Sequence, residues 1–452
     1  MIRVDKRSSV PLYEQIYQCV SNDILNNVCQ ENDELPSIRE LSATLEVSRI
    51  TVVNAYQELM ADGYIYSVRG RGYYVGQMQE GKAERRATPI KKDTLVDFRV
   101  STTAEECFPW NKWRKYINTA FDEMEYSRSM GSSSDSELIL KKSLSRYIRA
   151  YRGLSVKPAQ IFICPNTLTA VERVAKLLQS FTSAIAIADP IAARVRNVFR
   201  ASNFSVSAFP IRKNFAKDNK ELIIQNSSLI LPSEIVRGID VDSELLNDIS
   251  IWMADKICFL IEYDMGLSNL KSLDADDPIM EHLVSIGSFD EILPAAIPFA
   301  YIILPERLLT RYENIFGGYG LSYPIVSLKA ISHFSDDGYL FKMIRKVLYH
   351  NSLKKKKFYT YAEQNFHGRF RTCTQIFYME EGIAIHILGV KDQKKFLDKL
   401  HENKVYVIGT KENWYNRNFA KDDVIIIKYG DFTDSNLQKF FDVLNLVTDE
   451  MA

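Results

Sequence analysis

Four arginines near the amino terminus stand where a guanidinium is suited to phosphate and base-edge contacts. Arg39 follows Ser37 by two positions, Arg49 follows Ser48 directly, and Arg69 and Arg71 alternate with Gly70 and Gly72. Arginines in the first turn of a helix lie beside N–H groups that the helix leaves unpaired, and together these approach phosphate oxygens. Catalytic sets are harder to find. The six histidines (His282, His333, His350, His367, His386 and His401) fall in no HExxH pattern, and the six cysteines form no CxxC, so no metal site is expected. GxSxG, P-loop and GxGxxG patterns are absent, and Gly317, Gly318 and Gly320 read as a turn between helices.

The elements that carry the arginines are legible. Pro11 opens a helix at a position where a missing N–H costs nothing, and Leu12, Ile16, Val20 and Ile24 form its apolar stripe. Ser37 and Glu40 spell a capping box for a second helix with Leu41 and Leu45 inward. After the turn at Glu46 and Val47, Ser48 caps a third helix with the stripe Val52, Tyr56 and Leu59, stopped at Asp62-Gly63. Tyr64–Val68, the basic turn 69–72 and Tyr73–Val75 read as a β-hairpin. The whole is a winged helix-turn-helix.

The chain of 452 residues is long enough for roughly two to four domains. Fifty-seven basic and fifty-seven acidic side chains cancel, which excludes a histone-like or tail-driven nucleic-acid binder. Residues 1–80 hold seven basic against eleven acidic side chains, so DNA contact there rests on the position of the arginines rather than on bulk charge. The start MIRVDKRSSV lacks an apolar run, and no long uncharged apolar window occurs. Neither a signal peptide nor a membrane span is expected, and the scattered cysteines read as reduced cytoplasmic thiols.

The boundaries read as a DNA-binding domain at 1–79, a linker at 80–95 and a larger region from 96 onward. Within 81–93 there is almost no apolar content and there are five basic residues, a linker composition. Beyond it, strand candidates Gln160–Cys164, Ala184–Ala188, Cys258–Glu262, Leu283–Gly287 and Ala300–Leu304 alternate with helical stretches such as Leu168–Gln179 and Ala192–Ala201. That alternation predicts an α/β domain with a mainly parallel sheet. Lys354–Lys357 read as a solvated helix face.

The run LPSIRELSATLEVSRITVVNAYQELMADGYIYSVRGRGYYV resembles the winged helix-turn-helix of the GntR family of bacterial regulators. The resemblance implies that Ser37, Arg39, Ser48, Arg49, Thr51, Arg69, Gly70, Arg71 and Gly72 face DNA. Ser48 and Thr51 would offer hydroxyls, Arg49 would reach a guanine, and the two glycines would let the wing lie close to the backbone.

From Asp97 onward the chain resembles the MocR subfamily, in which a fold-type I aminotransferase domain follows the winged helix. The carrying segments include LSRYIRAYRGLSVKPAQIFI and VSIGSFDEILPAAIPFAYIILPERLL. The resemblance implies a large α/β domain at 96–335, a small α+β C-terminal domain at 336–452 and a homodimer. It also exposes departures at the positions that hold pyridoxal phosphate in the family. Glu291, in GSFDE, replaces the lysine that forms the imine. Pro298 stands in the stretch that carries a phosphate-binding arginine. Tyr263, or Asp264 if the register slips by one, stands at the pyridine carboxylate. Ala192 replaces the stacking aromatic, and Pro165 a glycine of the phosphate loop. Ser233–Gly238 replace a further family segment. The expectation is a cytoplasmic, non-enzymatic, dimeric regulator that binds an operator, has lost pyridoxal phosphate, and answers to an unknown effector or protein partner. Two alternatives stand beside it: a pyridoxal phosphate-dependent protein with a relocated lysine, Lys271 being nearest, and a protein-binding scaffold.

Overall fold

The computed structural model describes residues 12–25, 29–30, 32–61, 64–68, 72–75, 95–126, 132–210, 228–233, 236, 259–264, 272–273, 277–319, 323–366, 370–372 and 382–451. The chain divides into two units, Met1–Lys92 with Pro109–Lys115, and Asp93–Phe108 with Tyr116–Ala452. The linker assigned to 80–95 lies almost wholly outside the described residues.

In the first unit, α1 (Leu12–Leu25), α2 (Ile38–Leu45) and α3 (Arg49–Ala61) appear where the apolar stripes place them. Ile16, Val20, Ile24, Leu41, Val52, Tyr56 and Leu59 are buried in one core. Glu46 ends α2 in a left-handed conformation with φ +50°, its N–H turned back to the carbonyls of Ser42 and Ala43. This sharp stop lets α3 start three residues later. β2 (Ile65–Val68) and β3 (Gly72–Val75) form the expected hairpin, pairing Ile65 with Val75 and Val68 with Gly72. A short strand that was not expected, β1 (Glu34–Leu35), pairs with β3 and makes the wing three-stranded.

The second unit is built on a seven-stranded sheet. Its strands are β5 (Ile161–Cys164), β6 (Ala184–Asp189), β7 (Ser205–Pro210), β8 (Ser228–Pro232), β9 (Phe259–Asp264), β10 (Leu283–Ser288) and β11 (Ala300–Ile303), in the order β5-β11-β10-β9-β8-β6-β7. Only β11 runs against the others. Runs such as Ile161–Cys164 and Leu283–Ser288 are buried at every position, as strands covered on both faces must be. In chain order α4 (Thr103–Cys107), α5 (Trp110–Tyr126) and α6 (Ser132–Arg152) precede these strands. Helices α7 (Thr167–Leu178), α8 (Ala193–Ala201) and α9 (Glu306–Phe316) supply buried residues to the same core, and α10 (Ile325–Asp336) follows. The described part of the strand read as Cys258–Glu262 begins at Phe259 and runs on to Asp264, and Cys258 lies outside the described residues.

The C-terminal part carries an antiparallel sheet of β12 (Phe370–Thr372), β13 (Ile383–Ile387), β15 (Ile408–Gly409) and β16 (Val424–Ile427). Against it pack α12 (Gln393–Glu402), α13 (Asp434–Met451) and the end of the long α11 (Tyr339–Asn365). β4 (Val96–Asp97) pairs in parallel with β14 (Val405–Tyr406), and Val96 and Phe98 are buried in this C-terminal core. The chain therefore enters the second unit through its C-terminal core, a crossing that local sequence does not announce.

One surface reading is corrected. Lys354 is not solvated: its side chain is 15% exposed and its Nζ donates to Glu106, Thr102 Oγ1 and the Tyr429 carbonyl, while Lys357 pairs with Asp434. Cys107 and Cys164 are buried thiols, and burial pushes Cys164 up to about 12. Cys373 lies outside the described residues. No helix among the described residues is long and apolar enough to cross a membrane.

Candidate DNA face and the carboxyl edge of the large sheet

The first unit presents its chemistry at two helix starts and a hairpin. At α2, Ser37 Oγ accepts the Glu40 N–H at 3.2 Å while the Ser37 N–H donates to Glu40 Oε2 at 2.9 Å, completing the capping box. These bonds hold the Glu40 carboxyl below the usual carboxylate range. Arg39 is exposed in that first turn. At α3, Ser48 Oγ accepts the Thr51 N–H at 3.1 Å and lies 2.7 Å from Thr51 Oγ1. Both hydroxyls expected to face DNA are therefore engaged with the helix start as well. The two share one proton between them, which leaves a single O–H directed elsewhere. Arg49 is exposed beside them, and Ile50 is 72% exposed, an outward apolar side chain that sequence reading passed over.

On the hairpin, Gly72 has φ +127°, a conformation that strains any side chain, and an added Cβ would stand 3.3 Å from Glu34 Oε1. Arg69, Gly70 and Arg71 lie outside the described residues. The strands beneath them are braced by ring pairs. Tyr66 stacks on Tyr74 with centroids 5.7 Å apart, Tyr56 meets Tyr73 edge-on at 4.8 Å, and Tyr66 Oη donates to Asn32 Oδ1 at 2.8 Å. Tyr56 Oη donates to the Pro36 carbonyl at 2.8 Å, tying α3 to the start of α2. The tyrosines were legible as hairpin residues, but their pairing depends on strand register.

The second unit gathers its polar groups where the parallel strands end. Pro165 follows β5, Ala192 follows β6, Tyr263 is near the end of β9, Glu291 follows β10, and Pro298 precedes the antiparallel β11. All five positions thus come to one edge of the sheet, the edge at which open α/β sheets hold ligands. Glu291 is paired there: Lys428 Nζ donates to Glu291 Oε1 at 2.8 Å, with the side chains 12% and 10% exposed respectively. Next to it, the Thr167 hydroxyl donates to Asp290 Oδ2 at 2.7 Å and lies 2.9 Å from Ser288 Oγ, which accepts the Asp290 N–H. Asn166 caps α7 by accepting the Thr169 N–H. Tyr263 is 2% exposed within the large core, and Ser233 Oγ donates to its carbonyl at 3.2 Å. Glu262 is fully buried and accepts from Ser285 Oγ at 2.9 Å. Ala192 is also buried, and the Pro298 carbonyl accepts from Tyr323 Oη at 3.0 Å. Lys271 lies outside the described residues. No group of three or more His, Cys, Asp and Glu side chains suited to a metal is found among the described residues.

Residues 12–75 match the family described as bacterial regulatory proteins, gntR family. The HTH-type transcriptional repressor YtrA of Bacillus subtilis (strain 168) is 34% identical over 117 residues, which is 25% of this chain and 90% of the repressor. The chain belongs to the GntR family.

Within that family it has the long, MocR-type arrangement. It is 21% identical over 389 residues to the probable rhizopine catabolism regulatory protein MocR of Rhizobium meliloti, covering 77% of this chain and 76% of that one. The α-aminoadipate aminotransferase LysN of Thermus thermophilus superposes with a TM-score of 0.62 over 79% of this chain and 92% of that chain, at 13% identity. At that identity the likeness shows the fold: a fold-type I aminotransferase frame behind a GntR winged helix. This GntR protein is a DNA-binding transcriptional regulator of the MocR type. The two pieces of its frame that sequence reading did not foresee are Lys428, some 137 residues from its partner Glu291, and the Thr167–Ser288–Asp290 cluster. Both join segments that only the sheet brings together.

Proposed function

We propose that this regulator reads its operator with a face made of Ser37, Arg39, Ser48, Arg49, Thr51, Arg69, Gly70, Arg71 and Gly72, and that its aminotransferase-like domain works without pyridoxal phosphate and without catalysis. In this reading the 1–79 module binds DNA, the 96–335 and 336–452 domains join two copies and receive the input, and the protein acts in the cytoplasm. The exposed Arg39 and Arg49 at two helix starts support the DNA face. The observation that carries the cofactor reading is the Glu291–Lys428 pair. Pyridoxal phosphate needs an amine for its imine, a carboxylate at its ring nitrogen and donors for its phosphate. At the lysine position stands a carboxylate, already neutralised by a lysine from the C-terminal part. An alanine replaces the ring stack, a proline the glycine turn, and the Asn166 side chain takes an N–H at the start of α7. The residues present do not fit the cofactor.

The test is spectroscopic and thermal. The purified protein is expected to lack visible absorbance, and added pyridoxal phosphate is expected to leave its melting temperature unchanged, since a ligand of the native state raises it by mass action. Glu291→Lys alone is expected not to restore binding. A dose-dependent rise in melting temperature refutes the reading. One observation favours a competitor: Lys428 brings an amine to within 2.8 Å of Glu291. If it served as a relocated imine lysine, borohydride reduction in the presence of pyridoxal phosphate would label Lys428, and Lys428→Met would abolish the label.

A further inference from the structure

A second polar cluster lies behind β6 and is unrelated to the DNA face. α8 carries Arg196 and Arg200 one turn apart, and Arg417 opens a short turn of 3-10 helix at Arg417–Phe419. The Tyr415 ring holds the two helical guanidiniums, with Arg200 Cζ 5.1 Å and Arg196 Cζ 5.7 Å from its centroid. Tyr415 is itself fixed: its N–H donates to Asp189 Oδ1 at 2.8 Å and its hydroxyl to the Val206 carbonyl at 3.3 Å. The neighbouring Asn416 N–H donates to Asp189 Oδ2 at 3.0 Å. Both carboxylate oxygens of Asp189 are thus engaged by backbone, although its charge still acts on Arg196.

The arginines are not satisfied. Arg196 Nε and Nη1 are shut off from water and have no hydrogen-bond partner among the described residues. Arg200 and Arg417 make no ion pair or side-chain hydrogen bond among the described residues; Arg200 shares the Tyr415 ring with Arg196, Arg417 follows that tyrosine by two positions, and both charges act against that of Arg196. Three guanidiniums set against the one engaged carboxylate that acts on Arg196 leave an excess of two positive charges. Buried donors without acceptors are costly, and like charges held together add to that cost, so such a cluster is most stable with an anion among them.

We propose that Arg196, Arg200 and Arg417 form an anion site for a phosphate dianion, carried by a small phosphomonoester or as inorganic phosphate. The excess of two charges matches a dianion, and guanidiniums match phosphate oxygens in geometry. A phosphodiester, with a single charge per phosphate, leaves half of that excess unmatched. Tyr415, 39% exposed as a residue, offers an aromatic edge to a monoester bearing a ring. The site goes beyond the reading of the sheet edge and stands whichever way that reading falls.

The experiment uses the full chain and two probes that carry no aldehyde, inorganic phosphate and phenyl phosphate, titrated at constant ionic strength against chloride. Both are expected to raise the melting temperature, and phenyl phosphate at lower concentration. Arg200→Gln and Arg417→Gln, at exposed positions, are each expected to raise the half-saturating concentration by about tenfold or more, the loss of one charge-assisted contact. Arg196→Met should do the same; the two exposed variants keep the test decisive if it does not fold. Lys355→Gln, exposed on α11, should change nothing. A phosphate response absent up to about 10 mM, or equal in Arg200→Gln, Arg417→Gln and the unaltered protein, overturns the site.

Discussion

Removing one partner of the Glu291–Lys428 pair tests whether the sheet edge is closed by its own side chains. The two side chains are 10% and 12% exposed and meet at 2.8 Å. At an effective dielectric of about 20, charges this close attract by roughly 6 kcal/mol, most of which offsets the cost of taking both ions out of water. The pair as a whole therefore contributes little net stability, whereas one charge left alone is expensive. Lys428→Met is expected to destabilise by about 3 kcal/mol, the lower part of the range for buried pairs because a tenth of each side chain still meets water. That is about a hundredfold in the folding equilibrium. Glu291→Leu alone should cost a similar amount. The double variant should return to within about 1 kcal/mol of the parent, so that the coupling is about 5 kcal/mol or more. Denaturant unfolding followed by near-ultraviolet circular dichroism, analysed for the second unit's transition, gives all four corners of the cycle. Costs that simply add, or a single variant costing under about 1 kcal/mol, refute the closed edge.

On DNA, Arg49→Ala should cost about 1–3 kcal/mol and relax preference at one base position per half-site, while Arg39→Ala should weaken operator and scrambled duplexes alike and flatten the salt slope by about one unit per site. Binding across a salt series separates the two, and unchanged affinity in both variants would remove the proposed face. Ser37→Ala should lower the stability of the first unit by about 1 kcal/mol through loss of the α2 cap, measured by thermal unfolding. Burial, then the Lys346 charge, lowers the affinity of His350 for a proton in the folded chain. The unfolded chain then takes up a proton near pH 6.5 that the folded one does not. Stability should fall as pH drops below about 6.5 towards the depressed folded value, and His350→Asn should reduce that slope in denaturation curves.

The first unit was legible because its signals are local. Capping at Ser37 and Ser48, stripes at spacings of three and four, and a Gly-punctuated hairpin each act within a few residues, and the structure has α1, α2, α3, β2 and β3 at those places. β1 was missed because Glu34–Leu35 is too short for any alternation to show, and its strand character comes from pairing with β3. In the second unit the buried strands stood out as apolar runs. Their convergence on one edge did not, since it depends on β11 running antiparallel between β5 and β10. Lys428 gave no signal at all, being a lysine after an apolar strand in a chain rich in lysines. Nothing local distinguishes Lys354, which is buried against Glu106, from its exposed neighbours Lys355 and Lys356.

On the proposed reading, the frame stays stable without the cofactor for a physical reason. A site for pyridoxal phosphate is a set of charged and polar groups at the end of a buried sheet, and losing the ligand would leave those groups unpaired at a cost in stability. Here the polar groups named at the edge find partners within the chain. Glu291 meets Lys428, Thr167 meets Asp290 and Ser288, and Glu262 meets Ser285. Tyr263 and Ala192 lie in the apolar core. On the proposed reading, Glu291 and Lys428 work as a unit, each charge held against the other at 2.8 Å. On the proposed reading, a fold kept stable this way still presents helices and surfaces for assembly and input.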